Sequence, residues 1–155
     1  MKSNSRILWM GMALLILTLP IPALAALGGD INSVQQDQAQ MKGSLKTTEG
    51  EKYTVHEIKA SAGAVVKEYA SPAGKVFAIT WRGQFIPNMQ QLLGTYFDQF
   101  AQAAKAERES HVGHRPVNIQ QPGLVVQSGG HMRGYFGRAF APDMVPPGVS
   151  PDALQ

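Results

Sequence analysis

Chemistry in this chain would have to start from its four histidines and the polar residues near them. His111 and His114 form an H-x-x-H pair. Two imidazoles at that spacing could share a metal, with His131 or a carboxylate completing the shell. The zincin signatures, with their adjacent catalytic Glu, are absent, and two solvated loop histidines are the plainer reading. Ser128-Gly-Gly-His131 sets a hydroxyl near an imidazole, with glycines able to aim backbone N–H groups at an anion. No G-x-S-x-G nucleophile elbow accompanies it, and Gly-Gly between two strands reads first as a turn. His56, Lys67, Glu57 and Glu68 lie on neighbouring strands and could form acid/base pairs; a rim position for the first two and a solvated face for the glutamates are the alternatives. No metal or cofactor is expected.

A different kind of site is suggested by Arg82, Arg133, Tyr135 and Arg138. Arginines and aromatics are enriched where interfaces concentrate their binding energy. These four are the expected interaction surface for a partner in the envelope; ordinary core aromatics and ordinary surface arginines are the plainer reading.

The chain has 155 residues and no cysteine, which excludes a disulfide scaffold, Cys-ligated metal sites and a Cys nucleophile. Lys2 and Arg6 precede an uncharged run from Ile7 to Leu19, closed by Pro20 and Pro22, with small residues at Ala23 and Ala25. This is the three-part pattern of a secretory signal peptide, with cleavage expected after Ala25. Periplasmic or secreted localisation follows, with no stable membrane span once the leader is removed. Lys2 and Arg6 account for two of the 14 basic residues, and 12 against 11 acidic ones remain. No Lys/Arg run remains either, so a nucleic-acid surface is excluded.

The elements that would position these residues follow from patterning. A short polar helix is expected within residues 26–43, capped by Asp30 and stopped at Gly43, and residues 43–52 read as a polar connector. Three strands are expected at Tyr53–Lys59, Ala64–Ala70 and Val76–Arg82. A three-residue turn at Pro72-Ala73-Gly74 would pair Ser71 with Lys75. Counting on from that turn sets Tyr69 opposite Phe77, Lys67 opposite Ile79 and Val65 opposite Trp81. One apolar face then contains Val65, Tyr69, Phe77, Ile79 and Trp81, with His56 and Lys67 beside them and Glu57 and Glu68 on the reverse. Met89, Leu92, Leu93, Tyr96, Phe97, Phe100 and Ala104 fall at helical spacing behind the cap Asn88 and would roof that face. Val117–Gln120 is a possible short strand. Leu124–Gln127 and Met132–Ala141 read as a hairpin joined across Ser128–His131, with Gly134 and Gly137 weakening its last strand or bending it, as at a bulge. The proline-rich residues 142–155 read as an extended tail. The result is an α+β domain at residues 53–141, an antiparallel sheet (a three-stranded meander plus a C-terminal hairpin) covered on one face by one long amphipathic helix.

Several stretches carry a family likeness. They are Tyr53-Thr-Val-His-Glu-Ile58, Val65-Val-Lys-Glu-Tyr69, Ser71-Pro-Ala-Gly-Lys-Val-Phe77, Trp81-Arg-Gly83, Leu92-Leu-Gly94, and Tyr96-Phe97. It resumes at Pro122–Arg133 and Gly137-Arg-Ala139. Together they resemble a family of small exported bacterial proteins, domain of unknown function 2844, over nearly all of the chain after the leader. The resemblance implies export from a Gram-negative cell and a single-domain build, and it assigns no activity to any residue. The expected function is therefore a non-enzymatic interaction or accessory role in the cell envelope. A small apolar ligand held between sheet and helix, or a metal- or Ser/His-dependent hydrolase, are the alternatives.

Overall fold

The computed structural model describes residues 27–110 and 116–155. The leader at 1–25 and the pair His111 and His114 lie outside the described residues. The chain is α+β, as expected. One antiparallel sheet of seven strands runs in the order β1-β2-β3-β4-β7-β6-β5. The strands are β1 (Ser44–Glu49), β2 (Thr54–Lys59), β3 (Val65–Ala70), β4 (Val76–Gly83), β5 (Val117–Gln121), β6 (Leu124–His131) and β7 (Gly134–Phe140). Helix α1 (Asn32–Gln40) precedes them, and α2 (Met89–Leu93) and α3 (Phe97–Ser110) lie between β4 and β5.

The helical stretch expected over residues 88–108 is present, and all seven stripe residues join the core. Asn88 accepts the Gln91 N–H at 3.2 Å, as a cap should. Gly94 interrupts the stretch: its φ is +50°, and residues Gly94–Tyr96 form a 3₁₀ turn between α2 and α3. Asp30 Oδ1 accepts the Asn32 N–H at 2.8 Å at the start of α1. Lys42, not Gly43, takes the left-handed conformation after α1.

The β3–β4 register departs from expectation at one residue. Ser71 and Lys75 do pair, and so do Ala70 and Val76. Tyr69 then faces Ala78, because Phe77 is an extra residue on β4. A β-bulge of this kind shifts everything beyond it by one position, and a one-residue shift moves a strand's side chains to the other face. Val66 therefore faces Trp81, and Glu68 faces Ile79. On β2, His56 faces Glu68 and Glu57 faces Lys67. The expected neighbours His56 and Lys67 are on opposite faces.

Two cores result. The first face of the sheet, with Ile58, Val66, Val76, Ile79, Trp81, Val126 and Ala139, packs against Leu27, Val34, Leu92 and Leu93 and the start of α3. The second face gathers Tyr69, Phe77 and Ala78 with Leu154. Tyr53 joins them, its ring 5.6 Å from Tyr69 and 6.0 Å from Phe77. Residues 142–155 are thus a lid over this second core. They form two short 3₁₀ turns, Pro142–Met144 and Pro151–Ala153, each opened by proline. Lys67 Nζ and Tyr69 OH each donate to the Gln155 main-chain oxygen at 2.8 Å. Leu154 is 5% exposed, so Leu154→Ala should cost about 2–5 kcal/mol. Chemical denaturation would measure it; a change below about 0.5 kcal/mol would mean that the lid contributes no packing.

Two further differences concern the strands. Residues 44–49, read as connector, are the edge strand β1. Ser128–His131, read as a turn, belongs to β6, and the hairpin instead turns at Met132-Arg133, with Arg133 at φ +69°.

Candidate functional site

The second face is not fully covered by residues 142–155. Beside them an open groove of about 1160 Å³ crosses β2, β3, β4, β7, β6 and β5. Its floor is set by cross-strand rows. Glu57, Lys67, Thr80, Arg138, Gln127 and Asn118 stand opposite one another in turn across all six strands. The next row holds Lys59, Val65, Arg82, Phe136 and Gly129. Phe136 lies over Gly129, where a Cβ would stand 3.3 Å from the ring, and is 57% exposed. An exposed ring thus forms a platform beside an exposed guanidinium.

The arginines differ in what holds them. Arg138 is tied down: Nε donates to Gln127 Oε1 at 2.7 Å, Nη1 to the Pro151 carbonyl at 3.0 Å, and Nη2 pairs with Asp152 at 2.5 Å. It fastens the C-terminal segment to the groove wall. Arg82 forms no ion pair among the described residues. Its charge is therefore available to a ligand. Lys59 is 3.6 Å from Glu57, a loose and largely solvated pair.

Of the expected interaction residues, Arg82, Tyr135 and Arg138 line the groove. Arg133 stands apart on the hairpin turn. Ser128 Oγ donates to the Phe136 carbonyl at 3.1 Å. His131 is three residues along the same strand, at an exposed position, and alternation sends the two side chains to opposite faces. The structure does not bring this serine and histidine together. Among the described residues no three His, Asp or Glu side chains cluster as metal ligands would.

A family model described as a protein of unknown function, DUF2844, matches residues 23–154. The chain belongs to this family. No curated protein and no solved structure matches it. The DUF2844 match spans all seven strands, the three helices among the described residues and the lid as far as Leu154, so the second core and all of the groove lining but Gln155 lie within the family's region.

The DUF2844 chain also contains a polar cluster that sequence reasoning missed. Asp37 on α1 and Glu68 on β3 are both 0% exposed, and each carboxyl acts on the ionisation of the other. Gln91 Nε2 donates to Asp37 Oδ1 at 2.6 Å. If both carboxyls were ionised, Asp37 Oδ2 and both Glu68 oxygens would have no donor. A proton retained on Glu68 would give one of its oxygens a donor toward Asp37 Oδ2. Burial, and then the nearby Asp37 charge, push the Glu68 carboxyl up to about 9. Burial pushes Asp37 up to about 6. His56 stands opposite Glu68 at 4% exposure, its Nδ1 3.0 Å from Thr47 Oγ1, and burial lowers its pKa. Helix α1 buries Ser33, Val34 and Asp37, so this pair lies between α1 and the sheet. A sequence signal existed: Glu68 sits between Val66 and Ala70 on a face that becomes apolar once Phe77 is counted as a bulge.

Proposed function

We propose that this protein acts outside the cytoplasm as a non-enzymatic binding or accessory protein of the cell envelope, and that the groove on the second face holds its ligand. The observation that supports the groove most is Arg82, exposed and without an ion pair among the described residues, beside the exposed ring of Phe136. Clefts that bind ligands combine apolar walls with a few polar groups that fix orientation. Here the apolar surface comes from Phe136, Val65 and Leu154, and the fixed charge from Arg82. The ligand chemistry that fits is an extended apolar body bearing an anionic group. This reading puts binding on the face away from α2 and α3; the sheet–helix side is filled by Leu92, Leu93, Ile58 and Ile79, all 0% exposed. The leader pattern supports export.

The test is quantitative capture of envelope components by the exported protein and by an Arg82→Glu, Phe136→Ser double variant. Both positions are exposed, so the unfolding midpoint should stay within experimental error. Recovery or affinity should fall at least tenfold, about 1.4 kcal/mol. Undiminished capture by a folded double variant would refute the groove as the binding surface.

A further inference from the structure

We infer that one end of this sheet docks on an anionic lipid surface. The strand pairings fix which turns share an end. Gly83 at the exit of β4 pairs with Tyr135, and His131 pairs with Gly134 around the Met132-Arg133 turn. The segment that follows Gly83, with Phe85 and Ile86, therefore leaves the sheet at the same end as that turn. Phe85 is 63% exposed, Ile86 53% and Met132 84%. Phe136, at 57%, stands two residues inside the same end. Four of the five exposed large apolar residues among those described are gathered there.

Charge follows the same axis. At this end the strand termini and turns hold Lys59, Arg82 and Arg133. Its nearby acids are Glu57, 3.6 Å from Lys59, and Glu107 and Glu109 on the last turn of α3, where Glu109 pairs with Lys105; Arg82 and Arg133 are thus the cations that carry the charge of this end. The opposite end, where β1 meets β2, β3 meets β4 and β7 meets the lid, holds Asp30, Glu49, Glu51 and Asp143 against Lys52 and Lys75. The molecule is thus apolar and basic at one pole and acidic at the other.

Apolar tips inside a basic collar suit a bilayer better than a protein partner. A side chain exposed to 84% at a turn projects from the surface and has few neighbours of its own. A protein partner would need a separate pocket for each projecting tip. Lipid yields around them, while the arginines remain among anionic headgroups. No helix among the described residues is long and apolar enough to cross a membrane, so the contact is a surface one. The inference stands whether or not the groove holds a ligand.

The chain lacks cysteine, which permits a direct test on the full-length protein. Met132→Cys and, at the acidic pole, Glu51→Cys are each labelled with an environment-sensitive fluorophore and mixed with phosphatidylglycerol or phosphatidylcholine vesicles. The label at 132 should brighten several-fold and shift to the blue with phosphatidylglycerol, far less with phosphatidylcholine, and the label at 51 should not respond. Adding Arg133→Glu and Phe85→Ser should weaken the response at 132 at least tenfold in lipid concentration. Association through any other segment would leave position 132 in water. A dark label at 132 on vesicles that bind the chain would overturn the inference and leave this end to a protein partner. Equal responses at 132 and 51, or with the two lipids, would overturn it as well.

Discussion

Replacing Glu68 with Gln should stabilise the protein at alkaline pH by a few kcal/mol. In the folded chain burial pushes the Glu68 carboxyl up to about 9 and that of Asp37 up to about 6, whereas in the unfolded chain both ionise near pH 4. Their raised values mean that stability from the pair is fully present below about pH 4. It is lost as pH rises, first through about 6 for Asp37 and then through about 9 for Glu68. Each unit over which the folded state retains a proton that the unfolded state has released costs about 1.4 kcal/mol. His56 acts in the other direction. It is held neutral by burial, so its contribution is lost as pH falls below the ordinary histidine range. Comparing wild type with Glu68→Gln isolates the carboxyl pair from that effect. The amide introduced by Glu68→Gln would keep a donor toward Asp37 Oδ2 without a charge to bury. Urea unfolding at pH 5, 7 and 9 should show the two proteins converging at pH 5 and diverging toward pH 9. Parallel pH profiles would mean that Glu68 is not a buried proton carrier.

The second large effect is expected at Gly137. A Cβ there would stand 2.3 Å from Trp81 Cζ2 and 2.7 Å from the Gln127 carbonyl. Neither neighbour can yield easily, since Trp81 is 3% exposed in the first core and the carbonyl belongs to β6. Gly137→Ala should therefore destabilise by about 1–3 kcal/mol. The same change at Gly63, where a Cβ meets nothing within 4 Å, involves no packing clash but does strain a φ of +85°. Combining Gly137→Ala with Trp81→Leu should cost less than the sum of the two single changes, because the smaller side chain removes the clash with the indole and leaves only that with the Gln127 carbonyl. Additive losses in a double-mutant cycle would place the indole elsewhere.

Gly137 also shows how a correct signal can suggest the wrong cause. Glycine in a strand predicts a bend or a close approach. The bend was the expectation, yet β7 keeps an unbroken register with both β4 and β6. The close approach is what occurs, and it depends on a tryptophan 56 positions earlier in the chain.

The α+β class, the strand order of the meander and the helical stripe were legible because each rests on a strong period. The stripe from Met89 to Ala104 packs as its spacing requires. Edge strand β1 was not legible: five of its six residues are exposed, so no alternation marks it. The second core escaped because Val145, Val149 and Leu154 are spread among prolines without a period. The hidden carboxyl pair escaped for a sharper reason. A single bulged residue, Phe77, decides whether Glu68 or Lys67 faces inward, and the turn at Pro72–Gly74 is equally consistent with either outcome. Of the candidate site, Arg82, Tyr135 and Arg138 were named from residue type alone, and they line the groove. The lid's grip on Arg138 could be known only from the fold.

Site-specific photo-crosslinking in living cells tests most directly the claim that the second face is the binding face. A photoreactive phenylalanine analogue is placed at Phe136 in the groove, or at Gln102 on the exposed side of α3. Discrete crosslinked species from position 136, absent from position 102 and lost on adding Arg82→Glu, are the predicted result. Crosslinks from 102 and none from 136 would place binding on the helical side and contradict it.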